Sequence, residues 1–221
     1  MRSALVFAGG DPPPVELLGQ LDRSALVIAA DSGLDHALAL GFRADVVVGD
    51  LDSVTPDALA RARDAGADVE AHPAEKDETD LELALRRAVA LGVQRVTVIG
   101  GGGGRHDHLL ANALVLAHDA YAELEVEALV GSARLTVIRT RAELRGAPGS
   151  FLSLLPLGGP ARGIHTEGLR YPLEDEELAP GTTRGVSNEF LTAAAVVSVR
   201  EGVLLAVQPD VLSPLSPAPE V

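Results

Sequence analysis

The feature that most constrains this chain is an alternation running through its first half. Short apolar runs, each closed by turn residues, are separated by stretches with helical spacing. The runs are Ala4 to Ala8, Ala25 to Ala30, Val46 to Val48 and Arg95 to Ile99, with a more polar fourth strand expected near Asp68 to Ala71. Consecutive β-branched residues such as Val46, Val47 and Val48 read as a parallel strand covered on both faces. The helical stretches are Val15 to Leu21, Leu34 to Gly41, Pro56 to Gly66, Leu81 to Gly92, and a last one carrying Leu109, Ala113 and Leu116. Thr55 before Pro56 is an N-cap with proline at the first helical position, and Leu81, Ala84, Leu85 and Ala88 share one helix face. Strands alternating with helices at this pitch predict an α/β fold with a doubly wound, mostly parallel sheet over residues 1–130.

From about Leu124 no further helical period of useful length occurs. Short runs replace it: Leu124 to Val130, Leu135 to Arg139, Phe151 to Leu155, Gly163 to Thr166, Leu169 to Tyr171, Gly185 to Asn188, Ala194 to Val199 and Val203 to Val207. Turn residues separate them at every step, which predicts a smaller all-β sandwich or barrel over residues 131–208. Residues 209–221 hold four prolines and no periodicity, so a frayed, flexible tail is expected there.

Composition narrows the chemistry. The 221 residues are 47% hydrophobic but only 3% aromatic, so the core must be built from Ala, Val and Leu. The lack of cysteine excludes disulfides and thiolate zinc sites and fits a reducing cytoplasm. The apolar stretch at the N-terminus is too short for a signal peptide or a membrane span. A formal net charge of −14 argues against a nucleic-acid partner. An anionic substrate must then be escorted by divalent cations or met by a few local arginines. Lys76 is the one lysine among 18 basic residues, and it lies inside the acidic block Glu75 to Asp80. That placement suits a task needing a compact ammonium, or chance retention on a solvated face.

The polar residues fall at strand ends, where open α/β sheets bind ligands. Val46 to Ser53 delivers Asp50 and Asp52, and along an extended chain both carboxylates would point the same way, an oxygen-rich seat for Mg²⁺. The plainer alternative is a turn in which Asp52 or Ser53 caps the next helix. The second strand ends in Asp31, Ser32 and Gly33. Asp77 and Asp80 come to the amino end of the helix beginning near Thr79, where Asp80 also complements the helix dipole and Thr79 with Glu82 fits a capping box. Carboxylates gathered at one edge repel unless a cation sits among them, which favours a metal set. The fifth strand empties into Gly100 to Gly104, whose amides can approach phosphate oxygens, but the pattern is neither a Walker loop nor a dinucleotide fingerprint. Arg105 follows, able to clamp a phosphate or to pair with Asp107.

In order, Ala30-Asp-Ser-Gly33, Gly49-Asp-Leu-Asp-Ser53, Lys76-Asp-Glu-Thr-Asp80 and Gly101-Gly-Gly-Gly-Arg-His-Asp-His108 resemble the motif series of the thiamine pyrophosphokinase family. Thr166 to Leu173 and Gly185 to Glu189 are similar to that family's thiamine-binding domain. The resemblance implies a diphosphotransferase that moves the terminal diphosphate of ATP to the hydroxyethyl oxygen of thiamine, with Mg²⁺, giving thiamine diphosphate and AMP. It implies a homodimer with thiamine pockets shared between subunits, an ATP-binding catalytic domain in residues 1–130 and a thiamine-binding domain in 131–208. Carried over by position, Asp50, Asp52 and Asp80 match Mg²⁺ ligands, with Asp77 near them and Lys76 assisting. Asp31, Ser32, Gly33, Gly101, Gly102, Gly103, Gly104, Arg105 and Asp107 match the nucleotide and phosphate region, and Ser187 and Asn188 the thiamine side. Tyr171 stands where some members place Trp, and its ring can stack on a cationic thiazolium. Two other readings stay open: a haloacid-dehalogenase-like phosphatase with Asp50 as nucleophile, although that motif normally lies on the first strand and here is on the third, and a non-catalytic nucleotide- or thiamine-binding protein. A nucleotide-sugar transferase using Asp50 and Asp52 for its metal is a weaker variant of the first.

Overall fold

The structure is a computed structural model describing residues 1–212. It divides into two compact units, Met1–Gly131 and the chain from Ser132 onward. In the first, six strands lie parallel: β1 (Ser3–Phe7), β2 (Leu26–Ala30), β3 (Val46–Gly49), β4 (Asp68–Ala71), β5 (Arg95–Ile99) and β6 (Glu125–Val130). Their order is β4-β3-β2-β1-β5-β6. The chain walks outward from β1 to β4 and then returns to the far side of β1 as β5. The loops leaving β1 and β5 therefore diverge in opposite directions, the topological switch at which such sheets open a crevice.

Four helices connect the strands: α1 (Gly33–Ala39), α2 (Pro56–Asp64), α3 (Asp80–Ala90) and α4 (His106–Val115). The apolar stripe of α3 is buried as its spacing demands, with Leu81, Ala84, Leu85 and Ala88 all at or below 5% exposure. Burial of each leucine there is worth about 1.5–3 kcal/mol. Thr79 caps α3 by accepting a hydrogen bond from the Glu82 amide (3.2 Å), and Thr55 caps α2 in the same way with the Ala58 amide (3.3 Å). The stretch Val15 to Leu21, expected to be an α-helix, is a 3₁₀ helix over Val15–Gln20 that buries only Leu17. A single apolar anchor behind three prolines gives too little to propagate a longer helix.

At the switch, the loops after β1 and β5 are clasped by their backbones. The Gly101 amide donates to the Gly9 carbonyl (2.8 Å) and the Asp11 amide to the Gly102 carbonyl (2.9 Å). Gly10, between the two bonds, has φ +103°, and a Cβ there would stand 1.9 Å from the Gly102 carbonyl oxygen.

The second unit is a β-sandwich of antiparallel strands: β7 (Ala133–Ile138), β8 (Arg141–Arg145), β9 (Phe151–Glu167), β10 (Glu174–Leu178), β11 (Asn188–Glu189), β12 (Ala194–Ser198) and β13 (Glu201–Gln208). The path runs β7-β13-β9-β12-β8, with β10 and β11 also paired to β9. Its core gathers Ile138, Leu144, Leu152, Leu154, Ile164, Phe190, Val197 and Leu204. The runs Phe151 to Leu155 and Gly163 to Thr166, expected as separate strands, are two ends of the 17-residue β9. Gly158, Gly159 and Pro160 do not break it. They let it change partners, from β11 and β13 near its start to β10 and β12 near its end. The charged strands β8 and β10 fall outside the expected runs because each buries one residue, Leu144 and Leu178 respectively, and shows no apolar run. Leu169 to Tyr171 contributes only a bridge from Leu169 to Phe190. Of the expected frayed tail, Pro209 and Val211 are instead tied to Ser132, whose hydroxyl donates to the Pro209 carbonyl (2.9 Å) and whose carbonyl accepts from the Val211 amide (2.9 Å). Residues 213–221 lie outside the described residues.

The clasp makes a stability prediction. Gly10→Ala should destabilise the chain by roughly 2 kcal/mol or more, because it adds left-handed strain to a collision with a carbonyl. Gly104→Ala, in the facing loop but with nothing within 4 Å of the added carbon, should stay within about 0.5 kcal/mol of the parent. Urea titrations followed by far-UV circular dichroism check both.

Candidate active site

The carboxyl edge of the first unit gathers acids because of strand register. Ala30 of β2 lies opposite Val48 of β3, and the Asp31 amide continues the ladder by donating to the Val48 carbonyl (2.9 Å). Asp31 is thereby set beside Gly49 and Asp50. Asp31, Asp50 and Asp52 each offer a carboxylate oxygen within 4.8 Å of the others. The sequence points Asp50 and Asp52 the same way through extended alternation, but the strand ends at Gly49 and Leu51 has φ +64°. The two acids meet through a left-handed turn instead, in which the Asp52 amide donates to Asp50 Oδ1 (3.2 Å). Downstream the turn is anchored to α1, where Asp35 accepts from the Thr55 hydroxyl (2.5 Å) and amide (3.2 Å).

Asp80, at the first turn of α3, joins this edge differently. Gly49 has φ +145°, and a Cβ there would meet Asp80 Oδ1 at 3.0 Å and the Asp31 Cβ at 3.2 Å, so only glycine lets the two acids close over the end of β3. Lys76 Nζ lies 3.1 Å from Asp80 Oδ1 and 3.3 Å from Asp50 Oδ2, with its side chain 12% exposed. The sequence groups Asp80 and Asp77 with Asp50 and Asp52 as metal ligands. In the structure Asp31 stands with Asp50 and Asp52, Asp80 shares the Lys76 ammonium with Asp50, and Asp77 is exposed.

The electrostatics follow the geometry. Burial, and behind it the charges of Asp80, Asp50 and Asp52, push the Asp31 carboxyl above the usual carboxylate range against a hydrogen bond from the Ser32 amide. Asp50 is held below that range, first by the Asp52 amide and then by Lys76. Asp31 Oδ1 is buried without a hydrogen-bond partner. A buried, unpartnered oxygen within reach of two further carboxylates is the donor set of a hard divalent cation such as Mg²⁺, and these residues fit one.

Next to the acids is a cavity of about 360 Å³. Asp31, Ser32, Gly101, Gly102, Gly103, Gly104 and Arg105 line it as the sequence assigns them, and Asp80 and Thr79 close one side. Gly33 and Asp107 do not line it. Gly33 is where α1 presses on β1, since a Cβ would stand 2.0 Å from the Phe7 carbonyl oxygen. Asp107 pairs with Arg105 in a bidentate contact at 2.5 and 3.1 Å, both side chains well exposed. That pair holds the Asp107 carboxyl well below its usual range. An exposed pair of this kind is readily exchanged for another anion. Gly9, Gly10, Asp11, His108 and Asn112, to which the sequence reading assigned no site role, are also on the cavity wall. Asn112 is the most informative of them, because its amide donates to the Gly101 carbonyl (3.1 Å) and so ties α4 to the glycine loop. The spacing of Asn112 eleven residues after Gly101, about two helical turns into α4, offered no motif to find it by.

In the second unit the residues assigned to the thiamine side have distinct roles. Asn188 is 7% exposed and spends its amide internally: Oδ1 accepts from the Tyr171 (3.0 Å) and Glu189 (2.9 Å) amides, and Nδ2 donates to the Tyr171 carbonyl (2.7 Å). It holds Tyr171 in place and keeps no oxygen lone pair free for a ligand. Tyr171 is 58% exposed, with the Arg170 guanidinium 5.9 Å from its ring centroid and Arg170 tied to Glu189 (2.7 Å). Ser187 is exposed, with φ +58° and its amide donating to the Ser153 hydroxyl (3.1 Å).

Two family models match the chain, the thiamin pyrophosphokinase catalytic domain over residues 18–128 and its vitamin B1 binding domain over 136–204. The chain belongs to the thiamin pyrophosphokinase family. Thiamine pyrophosphokinase of Bacillus subtilis is 26% identical over 219 residues, covering 94% of this chain and 99% of that protein. The crystal structure of the Bacillus subtilis protein superposes with a TM-score of 0.83 at 25% identity, over 95% of this chain and 99% of that one. The Geobacillus thermodenitrificans structure gives 0.77 at 28% identity, over 94% and 97%. A Candida albicans thiamin pyrophosphokinase, at 13% identity and a TM-score of 0.75 over 94% of this chain and 90% of that one, shares the fold. Membership makes the chain an enzyme of thiamine diphosphate synthesis, and the α/β unit followed by a β-sandwich is the architecture of these structures. Among the described residues no helix is long and apolar enough to cross a membrane.

Asp31→Asn tests the charge cluster of this family member directly, because Asn tolerates the left-handed φ of +48° that Asp31 adopts and only the charge is lost. In EDTA the variant should melt several degrees above the parent, since a buried like-charge contact is relieved. Addition of Mg²⁺ should raise the melting temperature of the parent and leave the variant nearly unmoved. Differential scanning calorimetry at pH 7.5 reads both shifts.

Proposed function

We propose that the chain transfers the diphosphate of ATP to the hydroxyethyl oxygen of thiamine in a Mg²⁺-dependent reaction, releasing AMP. The observation that carries the reading is the adjacency of Asp31, Asp50 and Asp52 to a glycine-walled cavity at the topological switch of the first unit. A polyphosphate laid there has backbone amides on one side and metal-binding carboxylates on the other. When bound at the three acids, Mg²⁺ supplies charge neutralisation and alignment of the phosphates. Arg105 exchanges Asp107 for a phosphate oxygen, and the helix dipole of α4 adds partial positive charge at the same place. The new bond forms between the thiamine oxygen and the β-phosphorus, and the bond from that phosphorus to the AMP oxygen breaks. Positioning and charge dominate such transfers, so no strong protein base is called for.

On this reading Tyr171 offers thiamine the ring face turned away from Arg170, with Asn188 fixing the loop. The chain acts as a homodimer, the sandwich of one copy serving the catalytic unit of the other. Support for a partner comes from α4, which buries none of its residues and leaves Leu110 65% and Leu114 58% exposed. Family membership weighs against the phosphatase and transferase readings, and the intact acid cluster weighs against a protein that only binds.

Two outcomes test the proposal. Purified chain with ATP and Mg²⁺ should release AMP only when thiamine is added, and Asp52→Ala should lower kcat by about 10²–10³-fold, or about 3–4 kcal/mol. Inorganic phosphate in place of AMP would overturn it. Asn188→Ala, which unties Tyr171, should cost about 1–3 kcal/mol of stability and raise KM for thiamine more than it lowers kcat, read from melts and steady-state kinetics.

A further inference from the structure

The carbonyl oxygens at the glycine-walled corner are occupied in turn. Gly9 O accepts from the Gly101 amide (2.8 Å), Gly102 O from the Asp11 amide (2.9 Å) and Gly101 O from Asn112 Nδ2 (3.1 Å), while Ala8 O lies 3.1 Å from His36 Nδ1. The amides of Gly102 and Gly103 are left over, with no hydrogen-bond partner in the described chain, and both residues are on the cavity wall. In a trans peptide the carbonyl and the amide hydrogen point in opposite directions. The group that grips the Gly101 carbonyl therefore aims the Gly102 amide, and the bond to the Gly102 carbonyl aims the Gly103 amide.

We propose that Asn112 is a positioning residue for the polyphosphate: by holding the Gly101 carbonyl it fixes the 101–102 peptide in the orientation that keeps the Gly102 amide available to a phosphate oxygen. The proposal rests on the ATP-dependent reading above and adds a residue that sets how firmly the phosphates are held. The peptide needs such a hold because glycine stands on both sides of it. Glycine visits positive and negative φ with similar ease, so the peptide can turn over at little cost. Turned over, it would present a carbonyl oxygen, which repels phosphate, where an amide that binds it now stands. The neighbouring 102–103 peptide is held by the main chain of the facing loop, through the Asp11 amide, whereas the grip on Gly101 is a side chain from α4. Gly101 itself has φ +77°, and a Cβ there would stand 3.1 Å from Asn112 Nδ2, so the glycine and the asparagine are fitted to each other. Among the described residues α4 sends no other side-chain hydrogen bond to the glycine loop, and it buries none of its own residues. One bond thus orients the loop and berths the helix whose N-cap is Arg105.

The test uses inorganic triphosphate with Mg²⁺ on the full chain, followed by calorimetry and by the amide signals of ¹⁵N-labelled protein. In the parent the Gly102 amide proton should move downfield as triphosphate binds. Asn112→Leu, close in shape but without a donor, should weaken triphosphate binding by about tenfold or more and shrink that movement, and Asn112→Asp, which puts an acceptor against the Gly101 carbonyl, should lose at least as much. A role confined to packing would lower the melting temperature of the variants and leave both the affinity of the folded protein and the Gly102 signal as in the parent. That result overturns the proposal, and so does a parent that binds no triphosphate or whose Gly102 amide stays in place when it binds. The parent signal decides the matter alone if neither variant folds. An AMP assay on the same preparation separates the two readings: a moving Gly102 amide without thiamine-dependent AMP sinks the proposed reaction and keeps the Asn112 role, and AMP formation with an unmoved amide does the reverse.

Discussion

Like-charge repulsion at the carboxyl edge of β2 and β3 is the constraint around which the first unit is arranged. Two carboxylates about 4 Å apart repel by roughly 4 kcal/mol even at an effective dielectric near 20. Asp31, Asp50 and Asp52 are nevertheless held within 4.8 Å by backbone features that do not yield easily. Asp31 and Leu51 take left-handed conformations, Gly49 lets Asp80 close over the strand end, and the Asp35 carboxylate grips Thr55 just beyond the turn. Covalent and hydrogen-bonded geometry thus holds what electrostatics would scatter. A site strained in this way is prepared for a cation before one arrives, the general condition for tight, oriented binding of a hard metal ion.

The opposite wall of the cavity is built on the reverse principle. Where β1 and β5 part, the two loops are joined by main-chain hydrogen bonds, Gly101 to Gly9 and Asp11 to Gly102, and Asn112 secures the junction from α4. Gly101 to Gly103 carry no side chains of their own, so backbone amides of the loop and the amino end of α4 can supply fixed partial positive charge without the desolvation cost of a buried lysine or arginine. One wall is acidic and the other donates hydrogen bonds, and a polyanion escorted by a divalent ion is the class of ligand that satisfies both at once.

Much of this was legible in the sequence, and the misses have physical causes. The run Val46 to Val48 announced a covered parallel strand, and Thr79, Thr55 and Pro56 announced their helices, because burial and capping are local demands. Asp50 and Asp52 were recognisable for the same reason. The place of Asp31 among them was not, since it depends on β2 and β3 being neighbours in a register that sets residue 31 beside Gly49. The helix start at Asp80 was readable, and the ion pair it makes with Lys76 one turn earlier was not. In the second unit, β9 misled because Gly158, Gly159 and Pro160 are turn signals in sequence terms, yet here they bend a strand that exchanges partners. The charged strand β10 carries no apolar alternation to betray it.

Asn188 shows why residue identity and residue role can part company. An asparagine in a motif is most simply read as a ligand-binding amide, but here both functional atoms are turned onto the backbone of Tyr171 and Glu189. What reaches the surface is the ring it steadies, and the electrostatics of that ring are already partly committed. Arg170 stands over one face and is itself restrained by Glu189, so a positively charged ligand gains from the ring only on the other face. On the proposed reading the second unit would receive a flat cation and the first a metal-bound polyanion. The two reactants of the proposed transfer carry opposite charge, and each unit presents the surface that one of them requires.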